Sequence, residues 1–329
     1  MRLSPTFWRD KSVIITGASS GIGRALAEGL AGCGARVGLI ARREDRLQEV
    51  AASIAARGGR AAVAAADVTV REQVFRAVQT LEAALGPCDV LIANAGVYRK
   101  TAAREFDVER AALVLTTNLL GVVYSLGAVL PGMVRRQRGH LAAVASVGGM
   151  IGLPGAAAYC ASKQGVVTLL QSLRADLWRT GIRVTAICPG YVDTPMITDE
   201  ERATLRGLVT ADEAAWRIAW AIQRGRAEYW FPWWTALEVR LARLFGEGAG
   251  VRQRFLSSEP GEQLMLVLSG DDPVRKEFLK LDTGDLPDLP RQWARDHAHF
   301  HYTPVLSEPD PDWMGRTGFV HQAVLADHQ

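Results

Sequence analysis

The stretch from Ser12 to Gly23, SVIITGASSGIG, decides how the rest of the chain is read. Ser12–Thr16 is a short apolar, β-branched run with the character of a buried strand. Gly17, Gly21 and Gly23 follow, and a helical pattern runs from Gly21 to Cys33. Glycines at this junction let the chain turn tightly and bring backbone N–H groups close to a pyrophosphate, while the helix N-terminus adds the positive end of its dipole. A plain turn would use glycine too. The position between a strand and a helix is what favours the nucleotide reading.

The same alternation continues outward. Arg36–Ala41, Ala61–Ala65, Val90–Ala93, His140–Ala145, Arg183–Ile187 and Glu228–Phe231 read as further strands, with helices expected over Glu44–Ala56 and Arg71–Leu85. Short apolar strands separated by helices imply β-α-β units and a parallel sheet covered on both faces. Right-handed crossovers then give an α/β, doubly wound, Rossmann-like fold whose ligand sits at the carboxyl ends of the strands.

Composition agrees with a folded enzyme-sized chain. Of 329 residues, 48% are hydrophobic and 22% charged, which excludes a disordered protein. The net charge of +3 gives no reason to expect a nucleic-acid partner. Cys33, Cys88, Cys160 and Cys188 are far apart, so a disulfide scaffold and a zinc ribbon are set aside and a cytoplasmic location is expected. The N-terminal MRLSPTFWRDKS has no apolar run of the kind a secretory signal needs. The uncharged stretch Ala111–Val134 is long enough to cross a bilayer. Its Thr116, Thr117, Asn118, Ser125, Gly121, Gly127 and Pro131 favour a core or subunit-interface helix instead.

The chain changes character near GEGAG (Gly246–Gly250). Residues 1–245 carry a net charge of +9 and residues 246–329 a net charge of −6. We therefore expect a catalytic domain over 1–245 and a short C-terminal α/β extension over 246–329.

Further motifs stand in order along the first part. They are Asp67-Val68 after the third strand, Asn94-Ala95-Gly96 after the fourth, Asn118 in the next helix, and Ser146 at the end of the fifth strand. Tyr159-Cys160-Ala161-Ser162-Lys163 comes thirteen residues after Ser146, and Pro189-Gly190 closes the sixth strand. Together with Thr16-Gly17-Ala18-Ser19-Ser20-Gly21-Ile22-Gly23, this set resembles the short-chain dehydrogenase/reductase family over about residues 8–245. The resemblance implies an oxidoreductase that interconverts an alcohol and a carbonyl, acting as a homodimer or homotetramer. It implies Asn118, Ser146, Tyr159 and Lys163 as the catalytic set. It implies cofactor contacts from Thr16, Gly17, Ser19, Ser20, Gly21, Ile22, Gly23, Asp67, Val68, Asn94, Ala95, Gly96, Tyr159, Lys163, Pro189, Gly190, Val192 and Thr194. Asn118 would hold a water linking Lys163 to solvent, and Lys163 would bond the nicotinamide ribose.

The residue chemistry supports that set. Tyr159 and Lys163, four apart on a helix, share one face. A neighbouring ammonium favours the phenolate and should lower the tyrosine pKa, so that Tyr159 can exchange a proton with an alcohol or carbonyl. Ser146 would hold the substrate oxygen. Only five lysines occur, at 11, 100, 163, 276 and 280, which makes Lys163 hard to read as compositional noise. The second strand ends Ile40-Ala41-Arg42-Arg43, with no acid before Glu44. A free ribose 2′-OH wants a carboxylate here and a 2′-phosphate wants a guanidinium. Arg42, supported by Arg43, therefore favours NADP, with NAD as the second choice.

The substrate is expected to be hydrophobic, because Tyr191, Met196, Ile197 and Leu205 lie in the lid segment after Pro189-Gly190. The run ALEVRLARLF (236–245), with Trp233 and Trp234 before it, could close the core, join subunits or touch a membrane surface. In the tail, Leu264–Leu268 and His299–Leu306 read as strands and Gly315–Ala326 as a helix. From about Leu286 the tail resembles part of the NAD-binding module of ferredoxin-reductase-type oxygenase reductases, without that family's Cys-Gly-Pro or flavin-binding Arg-x-Tyr-Ser motifs. His297, His299 and His301 alternate but have no partnering ligand pattern, so no metal is expected. Two other functions compete with the leading one: a nucleotide-binding regulatory or scaffold protein, and a fused electron-transfer protein that uses the tail.

Overall fold

Val13 and Ile15 turn to one side of the first strand and Ile14 to the other, and all three are fully buried. Both faces of the sheet are therefore covered, as a parallel sheet requires. The computed structural model describes residues 3–205, 208–233 and 235. They comprise α1 Pro5–Trp8, β1 Ser12–Thr16, α2 Gly21–Gly32, β2 Arg36–Ala41, α3 Glu44–Ala56, β3 Arg60–Ala65, α4 Arg71–Leu85 and β4 Val90–Ala93. Then come α5 Val108–Leu115, α6 Gly121–Arg136, β5 Gly139–Val144, α7 Ala157–Asp176 and β6 Ile182–Pro189. The described part ends with β7 Val192–Asp193, α8 Asp199–Thr204, β8 Val209–Thr210, α9 Ala211–Gln223 and β9 Glu228–Phe231.

Seven strands form one sheet in the order β3-β2-β1-β4-β5-β6-β9, every neighbouring pair parallel. The chain winds outward from β1 to β3, crosses back, and winds the other way from β4. The carboxyl ends of β1 and β4 diverge at that reversal, which opens the crevice where doubly wound sheets bind ligands. One core layer packs Leu26 and Leu30 of α2, Leu47 and Ile54 of α3, and Ile218 and Ile222 of α9 on the sheet. The other packs Val78 and Leu81 of α4, Leu126 and Val129 of α6, and Val166 and Leu170 of α7.

Six elements keep the bounds read from the sequence: β1, β2, β4, β9, α3 and α4. β5 and β6 shift slightly, and β6 runs on to Pro189. The pair β7–β8, a two-stranded parallel ribbon beyond β6, has no counterpart in the sequence reading. Two residues per strand are too few for a period to register.

The apolar stretch from Val108 to Arg136 is one long helical segment, long and apolar enough to cross a membrane. Val114, Val122, Leu126, Val129 and Met133 are buried against the protein, as expected for a core helix. A single π-helical turn, Thr116–Leu120, interrupts it between α5 and α6. The amphipathic run 236–245, the tail elements at Leu264–Leu268, His299–Leu306 and Gly315–Ala326, and His297, His299 and His301 lie outside the described residues.

Candidate active site

Each carboxyl end at the centre of the sheet delivers part of the site. Beyond β1, Gly17 takes a left-handed φ of +68°, and a Cβ there would stand 2.8 Å from the Ala95 Cα. A Cβ on Gly23 would collide with the Gly17 carbonyl. Only glycines allow the turn to fold this tightly against the β4 loop. Asn94 locks it in place: its Nδ2 donates to the carbonyls of Thr16 (3.0 Å) and Gly17 (3.4 Å). The Thr16 hydroxyl in turn accepts from the N–H groups of Asn94 (3.0 Å) and Ala95 (3.1 Å).

Helix α2 starts at this turn, and its N-cap Ser20 makes no side-chain capping bond. By contrast Asp107 caps α5 and Thr210 caps α9. The N-caps of α3, α4 and α7 make no such bond either, so it is the glycine turn in front of α2, not the bare cap alone, that suits an anion. Thr194, beyond β6, packs its methyl group 3.1 Å from where a Gly21 Cβ would lie, joining the segment after Pro189-Gly190 to the turn. Val192 is buried in the ribbon beside it.

The two arginines after β2 divide their roles. Arg43 Nη2 donates to the Ser19 hydroxyl at 3.2 Å, so its guanidinium lies against the glycine turn. Arg42 reaches Asp67 instead, at 3.9 Å, with most of its side chain in solvent. Asp67 also accepts from the Thr69 N–H and hydroxyl. The sequence reading put Arg42 first and Arg43 in support, whereas Arg43 is the one in contact with the turn. Buried Val68 packs where a Gly121 Cβ would be (3.0 Å), which ties this loop to α6.

Ser146, Tyr159 and Lys163 meet at the ends of β5 and β6. Ser146, just beyond β5, accepts from the Gly148 N–H at 3.1 Å and donates to the Pro189 carbonyl at 3.5 Å. It also stands in hydrogen-bonding reach of the Tyr159 phenol, where it favours the phenolate. Lys163, one turn further along α7, is buried; its Nζ donates to the Val144 carbonyl at 2.8 Å and lies 5.8 Å from the Tyr159 ring centre.

One expectation is corrected here. Burial, not the ammonium, dominates the phenol: it raises the Tyr159 pKa above 10.0, and the Ser146 hydrogen bond offsets only part of the rise. Burial likewise lowers the Lys163 ammonium from 10.5 to about 8. In this environment both groups are pushed toward their neutral forms.

Asn118 sits in the π turn and is fully buried. Its side-chain amide pairs with the Val97 backbone, accepting from its N–H (2.8 Å) and donating to its carbonyl (2.9 Å). Nδ2 also donates to Ser162 Oγ at 3.1 Å, and that hydroxyl donates to the Tyr159 carbonyl at 2.7 Å. A Cβ on Gly96 would lie 3.3 Å from both Asn118 Oδ1 and Lys163 Nζ, so these two groups face a common space that glycine leaves open.

Two contributors escaped the sequence reading. Ser162 stands between Tyr159 and Lys163 and carries no motif of its own. Tyr98 packs edge-on against Tyr159, ring centres 5.4 Å apart. An aromatic two residues after Asn94-Ala95-Gly96 was the available signal. Of the lid residues, Tyr191 and Met196 are exposed, while Ile197 and Leu205 are half-buried. Arg202 pins the segment through Asp193 (2.9 Å) and Asp199 (2.8 Å). Among the described residues, no group of three or more His, Cys, Asp or Glu could hold a metal ion.

A glycine-cradled helix N-terminus beside a Ser–Tyr–Lys cluster, on this sheet order, defines an oxidoreductase class. The family described as short chain dehydrogenase matches residues 11–204, and the chain belongs to that family. It is 40% identical over 234 residues to a Myxococcus xanthus protein named as an oxidoreductase, covering 71% of this chain and 92% of that one. Among solved structures it is similar to levodione reductase, with a TM-score of 0.64 and 27% identity over 68% of this chain and 96% of that one. It is also similar to a variant of actinorhodin polyketide ketoreductase solved with NADPH, with a TM-score of 0.63 and 33% identity over 67% of this chain and 95% of that one.

Proposed function

We propose that the protein is an NADPH-dependent oxidoreductase that interconverts an alcohol and a ketone or aldehyde on a hydrophobic substrate. The observation that carries this reading is the meeting of Ser146, Tyr159 and Lys163 beside the glycine turn. The cofactor fits this chain's residues. Gly17 and Gly23 let the turn fold tightly enough to bring the start of α2 to its mouth, where helix N–H groups suit a diphosphate, and the Ser19–Arg43 contact is suited to a 2′-phosphate. The solved neighbour that binds NADPH supports the same choice.

When bound, the nicotinamide supplies or accepts a hydride. The chain's part is to orient the substrate and manage one proton. Ser146 holds the substrate oxygen, and Tyr159 donates a proton to it in reduction or removes one in oxidation. The phenol's raised pKa keeps Tyr159 protonated before the reaction, the state a carbonyl reduction needs. The phenolate left behind is stabilised by the Ser146 hydroxyl and the Lys163 ammonium. A water between Asn118 Oδ1 and Lys163 Nζ, in the space over Gly96, would return the proton. Lys163 also has donors left for the nicotinamide ribose.

Exposed Tyr191 and Met196 support a hydrophobic substrate. Leu113, Leu120 and Val123 are exposed on the α5–α6 segment and suit a homodimer or homotetramer contact. Four free cysteines fit a cytoplasmic location. All the site residues fall within 1–245, so we assign the activity to that part. The test is a nicotinamide-fluorescence screen of the purified protein against ketones and alcohols, with NADPH and NADH in parallel. Turnover with NADPH and a hydrophobic ketone supports the reading; no binding of either nicotinamide overturns it.

A further inference from the structure

Helix α7 carries Tyr159 in its first turn, where a helix is held least firmly. Its N-cap is Ala156, which has no side chain able to accept a hydrogen bond. The missing cap comes from elsewhere. Thr101, from the segment after β4, places its hydroxyl 3.2 Å from the Ala158 N–H and accepts from it. Thr101 is 2% exposed, and its own N–H donates to the Gly155 carbonyl at 2.8 Å, pairing it with Ala156 as in a parallel bridge. The capped group belongs to the residue immediately before Tyr159.

The same segment grips the tyrosine at two further points. Val97 is held through both backbone groups by Asn118, and the Tyr98 ring stands edge-on to the Tyr159 ring. Val97 and Tyr159 also pack together around buried Ala111, Val114 and Ala158. Residues 97–101 therefore form a strap fixed at one end by Asn118 and at the other by the start of α7.

We propose that Thr101 is a positioning residue for Tyr159: its buried hydroxyl supplies in trans the N-terminal cap of the helix that presents the phenol. The inference rests on the assignment of Tyr159 as the proton donor, and its test separates the two. Removing the acceptor leaves the Ala158 N–H unsatisfied in a buried place and frees the first turn to fray. A displacement of an ångström or less at a reacting group is enough to slow chemistry severely.

The experiment compares Thr101→Val, which keeps the shape and loses the hydroxyl, with Thr101→Ser, which restores it. Protein labelled with 13C at the tyrosine ring carbons reports the Tyr159 signal by NMR, assigned by its loss in Tyr159→Phe. The expected result is a shifted or broadened Tyr159 signal in Thr101→Val and a wild-type signal in Thr101→Ser. On a ketone reduced by the wild type, kcat falls about tenfold in Thr101→Val while KM and NADPH affinity hold. Should Thr101→Val fail to fold, Thr101→Ala carries the same comparison. An unchanged Tyr159 signal in a folded variant, or a serine variant no better than valine, overturns the proposal. Full turnover in Tyr159→Phe would instead overturn the functional assignment and leave the capping result standing.

Discussion

Lys163 holds its ammonium 5.8 Å from the centre of the Tyr159 ring, one helical turn away, and hydrogen-bonds the last carbonyl of β5 at 2.8 Å. The helix thus aims both groups at one point, and the strand fixes the lysine's reach. Burial sets the resting protonation. The phenol is favoured over the phenolate, while the ammonium, lowered to about 8, keeps its charge at neutral pH.

This burial has a pH signature in stability. Lys163 is lowered to about 8 in the fold and titrates at 10.5 in the open chain. Between those values the unfolded chain binds the extra proton, so stability from this group rises with pH from about 8 to 10.5. Lys163→Met keeps most of the side chain and removes the charge. Urea unfolding of the cofactor-free protein should give the variant a flatter profile across that window. An identical slope in both proteins would contradict the buried ammonium.

His140 gives the opposite end of the profile. It lies buried in β5, Nε2 2.8 Å from Thr185 Oγ1, and burial lowers its pKa from 6.5 to about 3. The unfolded chain takes up a proton as pH falls through 6.5 while the fold does not, so stability is lost between 6.5 and about 3. His140→Gln removes the titration. Its acid-unfolding profile should be shallower in that window, even if the variant is less stable at neutral pH.

Cofactor choice should follow Arg43 more than Arg42. A charge-assisted pair to a phosphate contributes ~1.5–3 kcal/mol, about ten- to a hundredfold in affinity. Arg43→Ala should lose that much affinity for NADPH and little for NADH. Arg42→Ala, which releases an exposed contact to Asp67, should lose less. Titration by protein fluorescence reads both; equal losses for the two nicotinamides would place the arginines away from the 2′-phosphate.

All the residues proposed for the site lie within 1–245. A chain shortened to residues 1–245 should remain soluble, bind NADPH and keep its turnover. Soluble, NADPH-bound but inactive protein would put the tail in the active site.

Much of the fold was legible because buried parallel strands are apolar throughout and glycine marks the first turn. β1, β2, β4 and β9 needed only their own residues. Short elements and contacts across segments were not legible. The ribbon β7–β8 is too short to carry a period, and the π turn at Asn118 differs from an α-helix by a single residue. Ser162, Tyr98 and Thr101 act through partners 3 to 61 positions away, which spacing cannot reveal. The Tyr159 pKa ran against expectation because the sequence shows the neighbouring charge but not the depth of burial.

The most direct test of the account is the turnover of Tyr159→Phe beside the wild type, followed by loss of NADPH absorbance with a panel of ketones. The substitution removes one hydroxyl and leaves the ring against Tyr98. The account predicts that the wild type reduces at least one hydrophobic ketone, and that the variant binds NADPH as tightly but turns over about a hundred- to ten-thousandfold more slowly. A variant that keeps near wild-type turnover would contradict it.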